Sequence, residues 1–315
     1  MLHPSRSGCE RVWSVEPQGQ ARAMKPPQAM VASALSFSVM TVCVKQLNGR
    51  IPVAEVVLAR ALISLVLSWW LLRQQQLNPW GTRRTTLIWR GVVGSAALFC
   101  VYAAIAQLPL AAATVLQYLY PTFTAALAWG ALGERAGKRV LLAMALGWSG
   151  VLLVAQPSWL PSFGQALSTQ TLPPLAVAIG ITGALLTSLA YVIVRNLAPD
   201  EHPLVIVFYF PLISVPLSLP FVLANPVMPS GLELVWLLGV GVFTQLGQVF
   251  LTRGITGMPA AQATAISYVQ VLFAALWGWL LFGEQLNQLM LMGAVLVLGA
   301  TLISIRPPRK PQLLR

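Results

Sequence analysis

Apolar residues follow one another along this chain in ten long segments, and most charged residues lie in the links between them. Each segment can cross roughly 30 Å of hydrocarbon as a helix, and a helix satisfies its own backbone hydrogen bonds there. Because the segments are continuously apolar and do not alternate, strands are not expected. The chain is therefore predicted to be an all-α membrane protein. Its ten predicted transmembrane helices are 28–46, 52–72, 87–107, 110–132, 138–156, 174–194, 203–224, 233–252, 260–282 and 287–305.

The fourth and ninth apolar segments are copies of one pattern. Residues 109–134 align with residues 259–284 at a shift of 150 positions, which pairs Tyr118 with Tyr268 and Trp129 with Trp279. Such self-similarity at a fixed distance indicates two structural units. Further pairs at the same shift relate spans one to five with spans six to ten. Because five is odd, the second unit must enter the membrane from the opposite side, so the sequence predicts two inverted five-helix repeats.

These patterns divide the chain into four predicted parts. Residues 1–27 are polar and have no apolar stretch followed by a cleavage site, so a signal peptide is not expected. They are expected to form a disordered cytoplasmic tail. Residues 28–156 form the first repeat, residues 174–305 form the second, and residues 306–315 form a basic cytoplasmic tail.

Composition agrees with the membrane prediction, and charge then orients it. The chain is 57% hydrophobic and 9% charged, whereas soluble domains carry about 25% charged residues. The net charge of +12 does not indicate nucleic acid as a partner, because the basic residues sit between the spans. If both termini lie inside the cell, Lys45 and Arg50 are the only basic residues on the outer side. The inner set is the N-terminal tail cations with Arg73, Arg83, Arg84, Arg90, Arg135, Lys138, Arg139, Arg195, Arg253, Arg306, Arg309, Lys310 and Arg315. This distribution predicts cytoplasmic termini in a plasma membrane.

Little in the sequence favours catalysis or a cofactor. The three cysteines have no CxxC spacing, and the two histidines are His3 and His202. A disulfide framework or a metal site is therefore not expected. The sequence has no nucleophile motif and no phosphate-binding glycine loop. We expect no enzyme activity and no cofactor.

Polar residues inside the spans are the candidates for binding, because their burial in a membrane is costly and is usually directed at a cavity or a partner helix. Neutral donors and acceptors on several spans suit a polar organic ligand better than a bare cation. Interhelical hydrogen bonding is at least as good an explanation for any one of them. The candidate substrate-binding residues are Arg60, Tyr102, Gln117, Tyr118, Tyr191, Gln245, Gln248, Ser267, Tyr268 and Gln270.

Charged residues in or beside the spans have separate interpretations. For Arg60, pairing with carbonyls and contact with a substrate are equally good explanations. Glu55 lies nearer the outer interface, where gating or a structural role is favoured over ion coupling. Glu134 and Glu284 end spans four and nine on opposite faces, where hydrated carboxylates favour a structural role. Pro121 can kink the fourth span, because it lacks a backbone donor.

Together the two five-span halves, Arg60 in span two, and the stretches 90–134 and 254–284 resemble the drug/metabolite transporter superfamily, in particular its EamA-type ten-helix family. The resemblance covers about residues 28–305. It implies a pseudo-symmetric bundle around a central cavity lined by spans one, three, four, six, eight and nine. The halves differ where Phe210 stands in place of Arg60, and where Gln270 and Val271 stand in place of Tyr120 and Pro121. Any polar anchor for the substrate is therefore expected to be asymmetric.

The sequence thus predicts a secondary active transporter, an exporter by family resemblance, that moves small polar or amphipathic metabolites such as amino acids by alternating access. Its expected partners are the small-molecule substrate and the lipid bilayer, with a homodimer left open. The alternatives are a flippase for a lipid-linked or amphipathic intermediate and, with less support, a membrane-embedded enzyme.

Overall fold

The computed structural model describes residues 24–47, 50–108, 110–155, 173–224, 226–283 and 288–305. Residues 1–23 of the predicted N-terminal tail and the whole predicted tail 306–315 lie outside this part of the chain. The described residues form helices and no strand. The helices are α1 (Pro26–Gln46), α2 (Val53–Gln74), α3 (Arg84–Gln107), α4 (Leu110–Gln117), α5 (Tyr120–Leu132), α6 (Lys138–Ala155), α7 (Pro174–Leu197), α8 (Pro203–Ala224), α9 (Gly231–Gly257), α10 (Ala260–Ile266), α11 (Val269–Phe282) and α12 (Gln288–Ile305).

Within the described residues, eight helical stretches are long and apolar enough to cross a membrane. They are α1, α2, α3, α7, α8, α9, α12 and the stretch Ala260–Leu281, which joins α10 to α11. The chain is therefore a multi-pass, all-helical membrane protein. The remaining predicted spans, 110–132 and 138–156, coincide with α4–α5 and with α6, so that ten crossings stay a prediction.

Two of the predicted spans are not continuous helices. The span 110–132 is interrupted at Tyr118 and Leu119, between α4 and α5. The span 260–282 is interrupted at Ser267 and Tyr268, between α10 and α11. The links before α4 and α10 are as short as the sequence indicated, since α3 ends at Gln107 and α9 ends at Gly257.

Helix pairing in the bundle follows the repeat of the sequence. At the shift of 150 residues, α1, α2 and α3 correspond to α7, α8 and α9, and α6 corresponds to α12. Helix α1 packs closely on α9 and, as the counterpart of this pair, α7 packs closely on α3. The self-corresponding pairs α2 with α8 and α6 with α12 also pack closely. Each half of the chain is therefore held mainly by the other half.

Small residues set close contacts between α3 and α8 and between α2 and α9, as expected where helices pack without help from water. A Cβ atom on Gly91 of α3 would lie 2.6 Å from Cγ1 of Ile213 on α8. A Cβ on Gly241 of α9 would lie 2.5 Å from Cβ of Ile63 on α2. The shift of 150 residues exchanges these two contacts, because it converts Gly91 into Gly241 and Ile63 into Ile213. The same steric fit is thus used twice.

Large apolar side chains cover the outside of the bundle. Val66 and Val295 are 67% exposed and Leu175 is 70% exposed. Contact of these apolar side chains with hydrocarbon has no free-energy cost, whereas contact with water would be unfavourable. The repeated tryptophans Trp129 and Trp279 are also exposed, near the ends of α5 and α11. Tryptophan side chains at such positions suit the interface between hydrocarbon and headgroups.

Candidate functional site

The two helix interruptions are tight turns, and they share one backbone pattern. Around the first, the amide nitrogen of Leu119 donates to Leu116 O at 3.1 Å. This bond joins residue i to residue i−3, as in a 3₁₀-helix, whereas an α-helix joins i to i−4. Around the second, Ser267 N donates to Thr264 O at 3.3 Å and Gln270 N donates to Ser267 O at 3.0 Å. Broken helices at membrane depth are tolerated where the backbone is buried in protein or lines a cavity.

Hydroxyl groups complete the hydrogen bonding of the carbonyls beside these turns. The carbonyl oxygen of Tyr120 accepts from Thr124 Oγ1 at 2.7 Å and from Ser188 Oγ of α7 at 2.9 Å. The carbonyl oxygen of Thr264 accepts from Ser267 Oγ at 2.6 Å. Ser188 therefore ties the first interruption to the second half of the chain.

The interruptions bring four tyrosines together, and we call Tyr118, Tyr120, Tyr191 and Tyr268 the tyrosine cluster. The rings of Tyr118 and Tyr268 stack with centroids 5.8 Å apart. Tyr120 lies 6.1 Å from Tyr118 and meets Tyr191 edge to face at 5.5 Å. The hydroxyls of Tyr120 and Ser267 are hydrogen-bonded, so that the two interruptions touch directly.

Tyr268 is the most enclosed member of the cluster. Its side chain is 0% exposed, and a Cβ on Gly147 of α6 would lie 2.7 Å from Tyr268 Cε2. Its hydroxyl makes no hydrogen bond of good geometry with the described residues, although Thr122 lies nearby. A buried donor without a partner costs free energy, and it is therefore available to an incoming ligand.

Two arginines meet at one phenylalanine ring, and we call Arg60 and Arg90 the arginine pair. Arg60 of α2 is 5% exposed, and its Cζ lies 5.7 Å from the centre of the Phe210 ring. Arg90 of α3 is 2% exposed, and its Cζ lies 5.0 Å from the same ring. Phe210 is the residue that corresponds to Arg60 in the second half. Tyr191 lies close enough to Arg90 to interact electrostatically, which links the pair to the tyrosine cluster.

Other predicted site residues lie apart from these two groups. Gln245 of α9 is buried and donates through Nε2 to Ser68 Oγ of α2 at 2.8 Å. The Oε1 atoms of Gln245 and Gln248 are both buried without a hydrogen-bond partner. Tyr102, Gln117 and Gln270 are partly buried. The hydrogen bonds of the described residues do not bring these three into contact with the cluster.

The residues that the structure brings together are thus Tyr118, Tyr191, Ser267 and Tyr268, with Arg60 at the neighbouring ring. Arg90 and Tyr120 were not among the candidates, and neither was Ser188. The sequence predicts that Arg90 is one of the charges of the inner links, yet it lies in the second turn of α3 and is buried. Its place inside the predicted span 87–107 was the signal that could have identified it.

An ion-pair network closes one end of the bundle, which we call the Glu134 end. Arg195 Nε of α7 donates to Glu134 Oε1 at 2.7 Å, and Arg195 Nη1 donates to Thr256 O of α9 at 2.8 Å. The second carboxylate oxygen of Glu134 accepts from Ala260 N at 3.0 Å, at the start of α10. One carboxylate and one guanidinium therefore join four helices from both halves.

Glu201 supports the same end. It is buried and accepts from Thr82 N at 2.6 Å and from Arg83 N at 2.5 Å, just before α3. Burial raises the pKa of Glu201, but the hydrogen bonds from Arg83 and Thr82 outweigh it and hold the pKa below its ordinary value. At the opposite end, which we call the Glu55 end, Glu55 in the first turn of α2 accepts a hydrogen bond from Val227 N. Glu55 therefore has a structural contact at a helix end.

The described residues contain no group of three or more His, Cys, Asp or Glu side chains that could hold a metal ion. A cavity of about 470 Å³ lies at the end of α2, between Trp69, Arg73, Asn78 and Trp80. It is separate from the tyrosine cluster. At the cluster itself the rings are in contact with each other, so that the described state is closed around it.

Comparison with known proteins gives consistent results. A model of the EamA-like transporter family matches residues 27–156 and again residues 174–306. The pseudopaline exporter CntI of Pseudomonas aeruginosa is 32% identical over 271 residues, covering 86% of this chain and 92% of that protein. The riboflavin transporter of Rhizobium johnstonii is 28% identical, covering 95% and 97%. Solute carrier family 35 member G1 of Mus musculus is 27% identical, covering 82% and 73%.

The fold also has a solved counterpart. A crystal structure with 14% sequence identity superposes with a TM-score of 0.77, over 89% of this chain and 96% of that chain. At this identity the likeness concerns the fold alone.

Proposed function

Because this chain belongs to the EamA-like transporter family, we propose that it is a secondary active transporter that exports small polar or amphipathic metabolites, amino acids among them. Family membership makes it a membrane transporter and not an enzyme. Export is supported by the similar pseudopaline exporter, and a small organic solute is in keeping with the similar riboflavin transporter.

The observation that carries the proposal is the meeting of the two helix interruptions. Tyr118 stacks on Tyr268 at matching positions of the two halves, and Tyr120 is hydrogen-bonded to Ser267 beside them. In transporters built from repeats, substrates bind near the middle of the membrane, where broken helices of the two repeats meet. Aromatic faces next to hydroxyl groups suit a ligand that is partly apolar and partly polar.

Alternating access is the mechanism that this arrangement supports. The network of Glu134, Arg195 and Ala260 closes one end of the bundle in the described state. Opening that end requires these bonds to break while the other end closes. The reciprocal helix pairs, α1 with α9 and α7 with α3, allow each half to tilt against the other about the centre.

The membrane orientation follows as part of the proposal. We place the Glu134 end and both termini on the cytoplasmic side of the plasma membrane, because most links at that end carry arginine or lysine. Ten crossings then divide into residues 28–156 and 174–305, with the second set inverted. The tails 1–27 and 306–315 are cytoplasmic in this arrangement, which is compatible with both a monomer and a homodimer.

Solute exchange into proteoliposomes tests the proposal. Vesicles that hold the purified protein are loaded with an unlabelled amino acid mixture and given labelled solutes outside. The protein should catalyse exchange of at least one labelled solute well above protein-free vesicles. Tyr118→Ala and Ser267→Ala should reduce the exchange about tenfold or more, because each removes a contact from the proposed site. Exchange at the rate of protein-free vesicles for every solute would refute transport of this class.

Folded yield decides how the variants are interpreted. Each variant is compared with the wild type by size-exclusion chromatography before reconstitution. If both variants are folded and both exchange solute at the wild-type rate, the transporter function stands and the proposed site is wrong.

A further inference from the structure

The arginine pair places two positive charges in the interior of the bundle. Arg60 lies seven residues into α2 and Arg90 six residues into α3, which corresponds to about 9–11 Å from the nearer helix end. Both side chains are buried. Charged side chains at such depth are rare and generally mark a substrate or ion pathway.

No countercharge accompanies this pair in the described part of the chain. The described carboxylates that form ion pairs do so with Arg50, Arg83 and Arg195. Glu55 is at a helix end, where it accepts from Val227 N. The Nε and Nη1 atoms of Arg90 are buried and have no hydrogen-bond partner. Arg90 is therefore a buried cation with unused donors on Nε and Nη1.

The direction of the Arg90 side chain argues against a purely structural role. A Cβ on Gly94, four residues further into α3, would overlap Arg90 Nη1, so the guanidinium lies over Gly94. Side chains on a helix ordinarily lean toward its N-terminus, and a buried arginine near a helix end usually extends to the nearby interface. Arg90 instead extends toward the middle of the helix, where Gly94 leaves room for it.

The groups around Arg90 stabilise it without neutralising it. The face of Phe210 attracts a cation, but this one ring serves both Arg60 and Arg90. Tyr191 supplies only a neutral hydroxyl. A carboxylate would complete the arrangement, because a guanidinium binds it with two parallel hydrogen bonds. The tyrosine cluster adjoins this position through Tyr191 and can pack against an apolar part of the same molecule.

We propose that the arginine pair is the anion subsite of the transport site, and that the transported solute carries a carboxylate beside an apolar or aromatic body. This inference rests on the proposed function and narrows its substrate class. Arg90 contributes its free Nε and Nη1 donors, and Arg60 contributes the second positive charge. The asymmetry expected from the sequence follows, since Phe210 occupies the position that corresponds to Arg60.

A matched pair of probes tests the subsite on the purified full-length protein in detergent. N-acetyl-L-phenylalanine carries a carboxylate, whereas N-acetyl-L-phenylalaninamide has nearly the same shape and no charge. The carboxylate should raise the apparent melting temperature in a concentration-dependent way, and the amide should not. Equal effects of the two probes, or no effect of the carboxylate, would overturn the inference.

Variants assign the effect to the arginine pair. Arg90→Gln and Arg60→Gln should each weaken binding of the carboxylate about 10- to 100-fold, the range expected for lost hydrogen bonds to a charged group. Arg135→Gln removes a positive charge from an exposed position and should leave binding unchanged. Unchanged binding in both Arg90→Gln and Arg60→Gln would contradict the proposal.

A second measurement separates binding from folding. If Arg90 is kept for a ligand, Arg90→Met removes an uncompensated buried charge and should raise the melting temperature of the ligand-free protein. A lower melting temperature, or loss of folded protein, would instead make Arg90 a structural residue and overturn the proposal.

Failure of the anion subsite can be distinguished from failure of the proposed transport function. If vesicles exchange the carboxylate probe equally well with wild-type protein and with Arg90→Gln, transport stands and the anion subsite is wrong. If no solute is exchanged, the transport proposal fails, while the binding of the two probes still decides whether the arginine pair holds a carboxylate.

Discussion

Two ion pairs at opposite ends of the bundle occupy matching positions in the two halves of the chain. At the shift of 150 residues, Arg50 corresponds to Asp200 and Arg83 corresponds to Glu233. Arg50 Nη1 lies 3.3 Å from Glu233 Oε1, and Arg83 Nη1 lies 3.1 Å from Asp200 Oδ2. The two ion pairs therefore join equivalent positions, but the position that is basic in one half is acidic in the other.

The two helix interruptions likewise have a similar backbone but different side chains. Pro121 lies in the first turn of α5, and Val271 has its place in α11, yet the chain is interrupted before both helices. The proline therefore does not explain both interruptions. Contact geometry is shared between the halves because glycine fits such as Gly91 with Ile213 are repeated. Charge and hydrogen bonding differ, and we propose that selectivity depends on those differences.

Overpacking the repeated glycine contacts should produce the largest loss of stability. Gly91→Ala and Gly241→Ala each bring a methyl group within 2.6 Å of an isoleucine side chain on the other half. Both should destabilise the protein by about 1–3 kcal/mol, as measured by thermal unfolding in detergent. Gly130 on α5 has no atom within 4 Å of its Cβ position, so Gly130→Ala should be neutral or stabilise by up to about 1 kcal/mol.

If Gly91→Ala is destabilising and Gly241→Ala is not, the contact is not equivalent in the two halves. Equal stability of all three variants would contradict the steric account of the helix pairs.

Breaking the network at the Glu134 end should have the next largest effect. Arg195→Gln removes the guanidinium that binds both Glu134 Oε1 and Thr256 O. We expect a loss of about 1–2 kcal/mol, since the pair is partly buried and adds charged hydrogen bonds. Glu233→Gln at the Glu55 end removes a more exposed pair and should cost about 1 kcal/mol or less. A larger cost for Glu233→Gln would reverse the assignment of the closed end.

Acid should weaken the end of the bundle that Glu201 supports. The pKa of Glu201 is lowered in the folded protein, so its contribution to stability is complete above the unfolded value and is lost as the pH falls through the lower folded value. In Glu201→Gln, this part of the pH dependence below about pH 4.5 should be missing. Unfolding measured between pH 3 and pH 6 compares the variant with wild type. Identical pH dependence of the two proteins would show that Glu201 is not coupled to folding.

The exchanged ion pairs should give the smallest effects. Double-mutant cycles for Arg50 with Glu233 and for Arg83 with Asp200 should each return coupling energies of about 0.2–1 kcal/mol, because one side chain of each pair is at least 50% exposed. High salt should reduce both. Coupling energies above about 2 kcal/mol at either end would mean that the pair is a gate and not a surface contact.

The sequence specified the helices well, because continuous apolar segments leave little choice of structure in a membrane. It also located the equivalent positions of the two halves, through pairs such as Tyr118 with Tyr268. It did not indicate the interruption at Ser267 and Tyr268, since neither residue is a glycine or a proline and both keep right-handed helical backbone angles. The turn is made by hydrogen bonds to Thr264 and Ser267, which depend on tertiary packing.

The directions of the side chains at the site could not be predicted from the sequence. The positive-inside distribution of charge predicts that Arg90 belongs to the inner links. Its extension over Gly94 depends on the space between α3 and α8. Tyr102, Gln117 and Gln270 were chosen because they are polar residues within spans. Which face of the helix they occupy depends on helix rotation, which polarity alone does not determine.

The central claim is that solute is bound where the two interruptions meet, and one flux comparison tests it most directly. Tyr268→Phe deletes only the buried hydroxyl of the tyrosine cluster that lacks a good partner. Tyr209→Phe deletes a hydroxyl that donates to Trp80 O at 2.9 Å, away from the cluster. In proteoliposomes, Tyr268→Phe should lower solute exchange about tenfold and Tyr209→Phe should keep the wild-type rate. Wild-type exchange by Tyr268→Phe, or an equal loss in both variants, would contradict the claim.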